Sequence, residues 1–292
     1  MATVIRKDHE RDWASSRAGT FGEILLRAGL LSEADVDRVL TAQKQSGKRF
    51  GETAVALGLI EEADVRRVLA RQFDHASVSP EHSGLHPSLY AAFDSGGPSV
   101  EALRRLRAEL QLRCFADDRK PLAVFSARET RDAGEMSANL AIAFSLIGER
   151  TLLVDANLRA PRQRQLFGLP EREGLSNLLA GRLPFAQAMT PVPGLPHLNV
   201  VCSGVSVPNP QELLSRGTMM SLMDVASVSF DVVIVDVAPA LEYSDALVVA
   251  ARCGGALLVT KRDHTRLADI DAVKSLLAPT GTKLVGAVLT RS

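Results

Sequence analysis

The sequence predicts an α/β fold: a parallel sheet with helices on both faces, preceded by a small all-α unit built from a tandem repeat. Two observations carry this expectation. From Val100 onward, short runs of β-branched and other apolar residues alternate with helical stretches, as in strands buried on both sides. Ahead of them, Phe21-Gly22-Glu23 recurs 29 residues later as Phe50-Gly51-Glu52. A chain of 292 residues has room for both units.

In chain order, residues 1–16 carry Arg6, Lys7, Asp8, Glu10, Arg11 and Asp12 without an apolar core. This reads as a flexible lead, not a secretory signal. Residues 17–76 hold the repeat. Gly29-Leu30 returns as Gly58-Leu59, and Glu33-Ala34-Asp35-Val36 as Glu62-Ala63-Asp64-Val65. Apolar positions 36, 39 and 40, and their partners 65, 68 and 69, share one helical face, so two short-helix, turn, long-helix units can bury each other. Ser32 with Asp35 three residues on is a capping-box pattern. Residues 77–97 turn to Ser, Gly, Pro and His and read as a linker; Gly84 and Pro87 argue against a helix that would join His82 and His86 in a metal site.

Residues 98–292 form the α/β unit. Strands are expected at Leu122–Phe125, Thr151–Val154, Leu198–Val201, Val232–Val235, Ala256–Val259 and Leu284–Val288, and helices at Met136–Gly148 and Pro210–Ala226. In such sheets, ligands bind outside the carboxyl ends of the strands. Composition narrows the partners. With 34 basic and 34 acidic residues and 4% aromatics, there is neither a charge nor a stacking case for nucleic acid. Cys114, Cys202 and Cys253 lie too far apart in sequence for a disulfide framework or a zinc pattern. No apolar window approaches the roughly 20 residues of a membrane span, and a cytoplasmic protein is expected.

The repeat copies, Thr20–Gln43 and Arg49–Gln72, resemble the N-terminal domain of type II secretion and pilus ATPases, in the MshE-type version that binds cyclic di-GMP. The resemblance implies a dinucleotide site at Phe21, Gly22, Gly29, Gln43, Arg49, Phe50, Gly51, Gly58 and Gln72, with glycines admitting a flat ligand. Thr20 stands where the family has Arg, which removes one guanine contact. The alternative is a helical docking module for a protein.

A second resemblance covers about residues 99–292. The run Leu152-Leu153-Val154-Asp155-Ala156-Asn157-Leu158-Arg159-Ala160-Pro161 is similar to the second Walker motif of bacterial P-loop tyrosine kinases, the CpsD/CapB type with an EpsG-like subtype that carries the same helical module in front. Val232–Asp236 with Pro239 is similar to their Walker B strand. Gly174-Leu175-Ser176, the run Pro208–Ser215 and Ser244-Asp245-Ala246 follow in the expected order. The resemblance implies a MinD-like P-loop NTPase fold, ATP and Mg as cofactors, and catalytic and Mg-binding roles for Asp155 and Asp236. It also implies a homo-oligomer joined through Glu101, Arg104 and Arg107. The implied partner is a membrane chain-length determinant, a Wzz-like polysaccharide co-polymerase, which would hold the protein at the inner membrane in capsule or exopolysaccharide export.

A phosphate loop needs glycines whose N–H groups turn to the phosphates, a Lys, and a Ser or Thr for magnesium. Anchored on Asn139-Leu140-Ala141, the Lys position falls on Ala133 and the hydroxyl position on Gly134. No glycine occurs from Phe115 to Ala133, and no lysine from Pro121 to Thr260. Asn157 replaces an Asp, and Thr290 an Asn beside the adenine. Arg128, Arg131 and Arg159 are the cations left to hold phosphate. Tyr90 and Tyr243 are the only tyrosines, so a tyrosine-rich tail is absent. The expected function is a catalytically impaired regulator of exopolysaccharide synthesis. The alternatives are an active tyrosine autokinase with an atypical phosphate loop, and a ParA/MinD-like positioning ATPase.

Overall fold

A computed structural model describes residues 21–27, 29–46, 48–62, 64–65, 83–94, 96–115 and 121–291. The chain divides into two compact units, Met1–His75 and Ala76–Ser292. Thr20, Gln72, His82 and the lead lie outside the described residues. Among those described, no helix is long and apolar enough to cross a membrane.

In the first unit, helices α1 (Phe21–Arg27), α2 (Glu33–Ser46) and α3 (Phe50–Ala56) enclose Leu25, Leu31, Val39, Ala54 and Ile60. The capping box forms as expected. Ser32 Oγ accepts from the Asp35 N–H at 3.2 Å, and the Asp35 carboxylate accepts from the Ser32 N–H at 3.1 Å. The Ser32 hydroxyl, which donates to Asp35 Oδ2 at 2.6 Å, and the Ser32 N–H, aided by Arg38, hold the Asp35 carboxyl below its usual range. The second copy repeats half of the device, with the Glu61 N–H donating to Asp64 at 3.1 Å.

The second unit is a seven-stranded sheet in the order β3-β4-β2-β5-β1-β6-β7. Its strands are β1 (Leu122–Ser126), β2 (Thr151–Asp155), β3 (Met189–Val192), β4 (Leu195–Val201), β5 (Val232–Asp236), β6 (Gly255–Lys261) and β7 (Lys283–Thr290). All neighbours are parallel except β3, which runs antiparallel to β4. Alternate side chains feed separate cores: Leu122, Val124, Leu153 and Ile234 on one face, Ala123, Phe125, Val154 and Val235 on the other. This is why the inner strands are apolar throughout. On the first face lies the helix Asp132–Ser145, buried at every position from Ser137 to Ser145 and therefore rich in alanine. On the other face lie the helices Gly217–Ser229 and Asp245–Cys253.

Three expectations need correction. The linker 77–97 is not one throughout, because Leu85, Leu89, Ala91 and Ala92 are buried in the sheet's core. Asn139 fixes this segment, accepting from the Ala91 N–H at 3.0 Å and donating to the Ser88 carbonyl at 2.9 Å. Gly84 and Gly168, both at positive φ, pass so close that a Cβ on Gly168 would stand 2.3 Å from the Gly84 oxygen. The His86 ring lies 2.9 Å from the Ser88 hydroxyl. The stretch Pro210–Ala226 is two helices, Pro210–Leu214 and Gly217–Ser229, parted by extended backbone at Arg216. Strand β3 was not expected; Pro191 within it is tolerated because the strand is at the sheet's edge.

The helix Pro98–Leu110 starts at Gly97, where the Asp94 carboxylate accepts from the N–H groups of Gly96 and Gly97 at 2.9 and 3.0 Å. Its Glu101 and Arg104 pair with each other along the helix. Arg107 turns inward and donates to the Ala143 carbonyl at 2.9 Å. Within one copy, Arg107 thus holds two helices together.

Candidate functional site

The carboxyl ends of β1, β2 and β5 open on a cleft of about 660 Å³. Asp155 and Asp236 end β2 and β5 in register with each other, and both are buried. Burial, reinforced by the neighbouring carboxylate, pushes the Asp155 carboxyl well above its ordinary value. Burial raises Asp236 to about 6, against the pull of bonds from Gln163 and Ser137. Ser137 directs its hydroxyl to the Ala133 carbonyl at 2.9 Å and to Asp236 Oδ1 at 3.4 Å.

Gln163, which opens the short helix Gln163–Leu166, is fully buried between these groups. Its backbone N–H donates to Asp155 Oδ2 at 3.0 Å. Its Nε2 donates to Asp236 Oδ2 at 2.7 Å and to the Gly134 carbonyl at 3.0 Å. Both acceptors demand N–H donors, which fixes the orientation of the amide. Nothing in the sequence pattern marks Gln163, because its role depends on where the turn after β2 delivers it.

The loop from β1 to the helix Asp132–Ser145 places the remaining groups. Arg131 lines the cleft, and Arg162 lies 3.6 Å from Glu135 at its wall. Arg128 does not face the cleft interior as a phosphate ligand: it donates twice to Asp269, at 3.0 and 3.2 Å. Arg159 is likewise engaged, gripping the buried Asp245 carboxylate with bonds of 2.8 and 3.0 Å and stacking 4.1 Å from the Tyr243 ring centroid. This pairing gives Ser244-Asp245-Ala246 a structural reason. Lys261, the first lysine after Lys120, brings Nζ to 3.3 Å from Asp132. Thr290 also bonds Asp132, joining β7 to the start of the helix. Asn157 accepts from the Ala160 N–H at 3.2 Å and shapes the turn.

In the first unit, the glycines expected to admit a flat ligand are explained by packing. A Cβ on Gly22 would stand 3.4 Å from the Phe50 ring, and one on Gly51 3.0 Å from Val65 and 3.3 Å from Phe21. Phe21 and Phe50 meet edge to face with ring centroids 6.2 Å apart. Each copy's glycine therefore receives the other copy's phenylalanine. Gly29 and Gly58 sit at φ +68° and +66°, in turns that favour glycine. Arg49 and Gln43 are not part of this seam, and Arg49 is exposed.

No family model matches the chain. It is 38% identical over 184 residues to EpsB of Ralstonia solanacearum, an alignment that covers 61% of this chain and 24% of EpsB. It is 32% identical over 207 residues to the tyrosine-protein kinase YwqD of Bacillus subtilis (strain 168), covering 71% of this chain and 87% of YwqD. The chain belongs to the bacterial tyrosine-protein kinase family. The kinase domain of the Escherichia coli tyrosine kinase ETK superposes with a TM-score of 0.68 at 28% identity, over 73% of this chain and 84% of that one. Membership places Asp155 and Asp236 on strand ends of a kinase-family sheet, so the cleft is the part of this family member to test for chemistry. The chain spans only about a quarter of the length of EpsB.

Proposed function

We propose that this family member is a regulator in exopolysaccharide or capsule synthesis that transfers no phosphoryl group itself. Its α/β unit would act through a membrane polysaccharide co-polymerase, and its helical repeat would dock a protein. The observation that carries the reading is the diversion of cations around the loop after β1. Arg128 is held by Asp269, Arg159 by Asp245 and Lys261 by Asp132. Glu129 remains on the wall of the cleft beside the position a triphosphate would need, and unit charges of one sign repel there at short range. This donor set does not fit magnesium-ATP, and no step is derived through it. For the repeat, packing accounts for Gly22, Gly51, Phe21 and Phe50, which leaves only Gly29 and Gly58 of the expected glycines open to cyclic di-GMP.

Calorimetry on the full chain tests both parts. Magnesium-ATP should give no saturable heat up to about millimolar, near −4 kcal/mol, and cyclic di-GMP should give none either. Micromolar ATP binding that Asp236→Ala abolishes would overturn the reading in favour of an active kinase using Arg131 and Arg162. Saturable heat with cyclic di-GMP would make the repeat a dinucleotide sensor.

A further inference from the structure

A pair of carboxylates at neighbouring strand ends in a P-loop-type sheet is a place for a cation. Here the space beside Asp236 is filled from within. The Gln163 amide donates to Asp236 Oδ2 at 2.7 Å, and its own N–H satisfies Asp155 at 3.0 Å. The opposite wall has changed to match. Gly134, at the expected hydroxyl position, accepts from the same amide, and a Cβ there would stand 3.2 Å from Asp236 Oδ2 and 3.4 Å from Gln163 Nε2. A Cβ there would crowd Asp236 Oδ2 and come into contact with the amide, and the further atom of a phosphate-loop Ser or Thr would have to share the space the amide fills. Gln163 and Gly134 therefore form one unit: the side chain that fills the site and the missing side chain that makes room for it.

An amide is neutral and cannot offset two carboxylates as a divalent cation does. Asp155 Oδ1 and Gln163 Oε1 are buried with no hydrogen-bond partner in the protein, so the amide completes the site only in part. Asp155 Oδ1 would be free to turn to a metal once the amide is removed.

We propose that Gln163 is an internal stand-in for the cation, which keeps divalent metal out of the Asp155–Asp236 pair and lets the fold stand without it. This deepens the proposed loss of phosphoryl transfer and rests on it, but its test uses metal without nucleotide. Manganese is titrated into the full-length native protein, Gln163→Ala and Gln163→Glu, followed by electron paramagnetic resonance of free Mn²⁺ and by thermal unfolding with and without metal. The native chain should show no saturable site below about millimolar, and the same melting temperature in Mn²⁺ as in chelator. Gln163→Ala, with the space opened, should bind at least about tenfold tighter, and its melting temperature should rise in Mn²⁺, because a ligand of the folded state stabilises it. Gln163→Glu keeps the shape but adds a third carboxylate, so it should melt low in chelator and recover most in metal. Adding Asp236→Asn to either variant should remove the gain.

Gly134→Ser supplies an independent readout. It should lower the melting temperature of the native chain more than that of Gln163→Ala, where the added hydroxyl can enter the space the amide has left. Metal binding by the native chain as tight as by Gln163→Ala would overturn the proposal. So would variants that gain no metal-dependent stability, including variants unfolded in both conditions. Failure of this kind leaves the ATP titration of the native chain unchanged, so the two readings can fall separately.

Discussion

The two sides of the cleft hold their charges in different ways. On the loop after β1 the arginines themselves are exposed, as is Arg128, which reaches from the surface to the mostly buried Asp269. At the ends of β2 and β5 the charges are buried, and every neighbour has been arranged around them: Gln163, Ser137, and Gly134 with no side chain at all. An exposed loop can change its residues at little cost because water solvates whatever is left. A buried carboxylate cannot lose its partner without leaving an unsatisfied charge, so its replacement must be a hydrogen-bonding group of the right shape. The contrast explains why the strand-end motifs still read clearly in the sequence while the loop does not.

Arg159 gives this contrast its hardest test, because it belongs to the buried set although its sequence position suggests a phosphate ligand. Its side chain is 30% exposed, but its partner Asp245 is fully buried. Arg159→Ala would strand that carboxylate and should destabilise the protein by about 2–3 kcal/mol, less than the cost of breaking a wholly buried pair because water reaches the arginine. Arg131→Ala, on the exposed loop, should stay within about 0.5 kcal/mol. Urea unfolding of both variants measures the difference. Equal effects would erase the distinction between the two sides.

Asp132 lies between the extremes and makes the contrast pH-dependent. Burial works to raise its carboxyl, but bonds from Thr290, Thr130 and Lys261 outweigh it and hold the pKa below the ordinary 3.8. A folded pKa below the unfolded one means that the unfolded chain binds the proton more readily as pH falls. The stabilisation is therefore present above about pH 4 and lost as pH drops through the lower folded value. Asp132→Asn should cost about 1–2 kcal/mol at pH 7, the scale of hydrogen bonds to a charged group, and progressively less below pH 4. Unfolding at pH 7 and at pH 3 checks it; a cost independent of pH would mean that shape, not charge, is what Asp132 supplies.

Much of the fold was legible because it rests on local patterns. The six expected strands appear with their ends moved by a few residues, and the capping box at Ser32 and Asp35 forms as its spacing implies. The segment around Leu85 was not legible, since its Ser, Gly, Pro and His content resembles a linker and the groups that hold it in the core, Asn139 and Gly168 among them, lie far along the chain. Asp155 and Asp236 could be found because strand ends are marked by the apolar runs before them. Gln163 could not, because nothing local distinguishes it from its neighbours in Arg162-Gln163-Arg164-Gln165. The partners of Arg128 and Arg159 were hidden for the same reason: Asp269 and Asp245 are distant in sequence.

The helical unit repeats the contrast between tight and open positions in miniature, within two copies of one sequence. Gly22 and Gly51 occupy equivalent places, yet their surroundings differ. A methyl group on Gly22 would make ordinary contact with Phe50, nearest atom 3.4 Å, whereas one on Gly51 would meet Val65 at 3.0 Å and Phe21 at 3.3 Å. Replacing a helical glycine by alanine gains about 1 kcal/mol from the backbone, while overpacking costs about 1–3 kcal/mol. At Gly22 the gain should roughly cancel the small cost, leaving stability within about 0.5 kcal/mol of native. At Gly51 the crowding should win, with a net loss of about 1 kcal/mol, since Val65 and Phe21 must both move. Amide hydrogen exchange over residues 21–65 of the full chain would report the opening of this unit separately from the sheet. Faster exchange in Gly51→Ala but not in Gly22→Ala is the expected result. If Gly22→Ala opened the unit as much, the two phenylalanines would be equally tight on their glycines, and the seam would be symmetric in packing as well as in sequence.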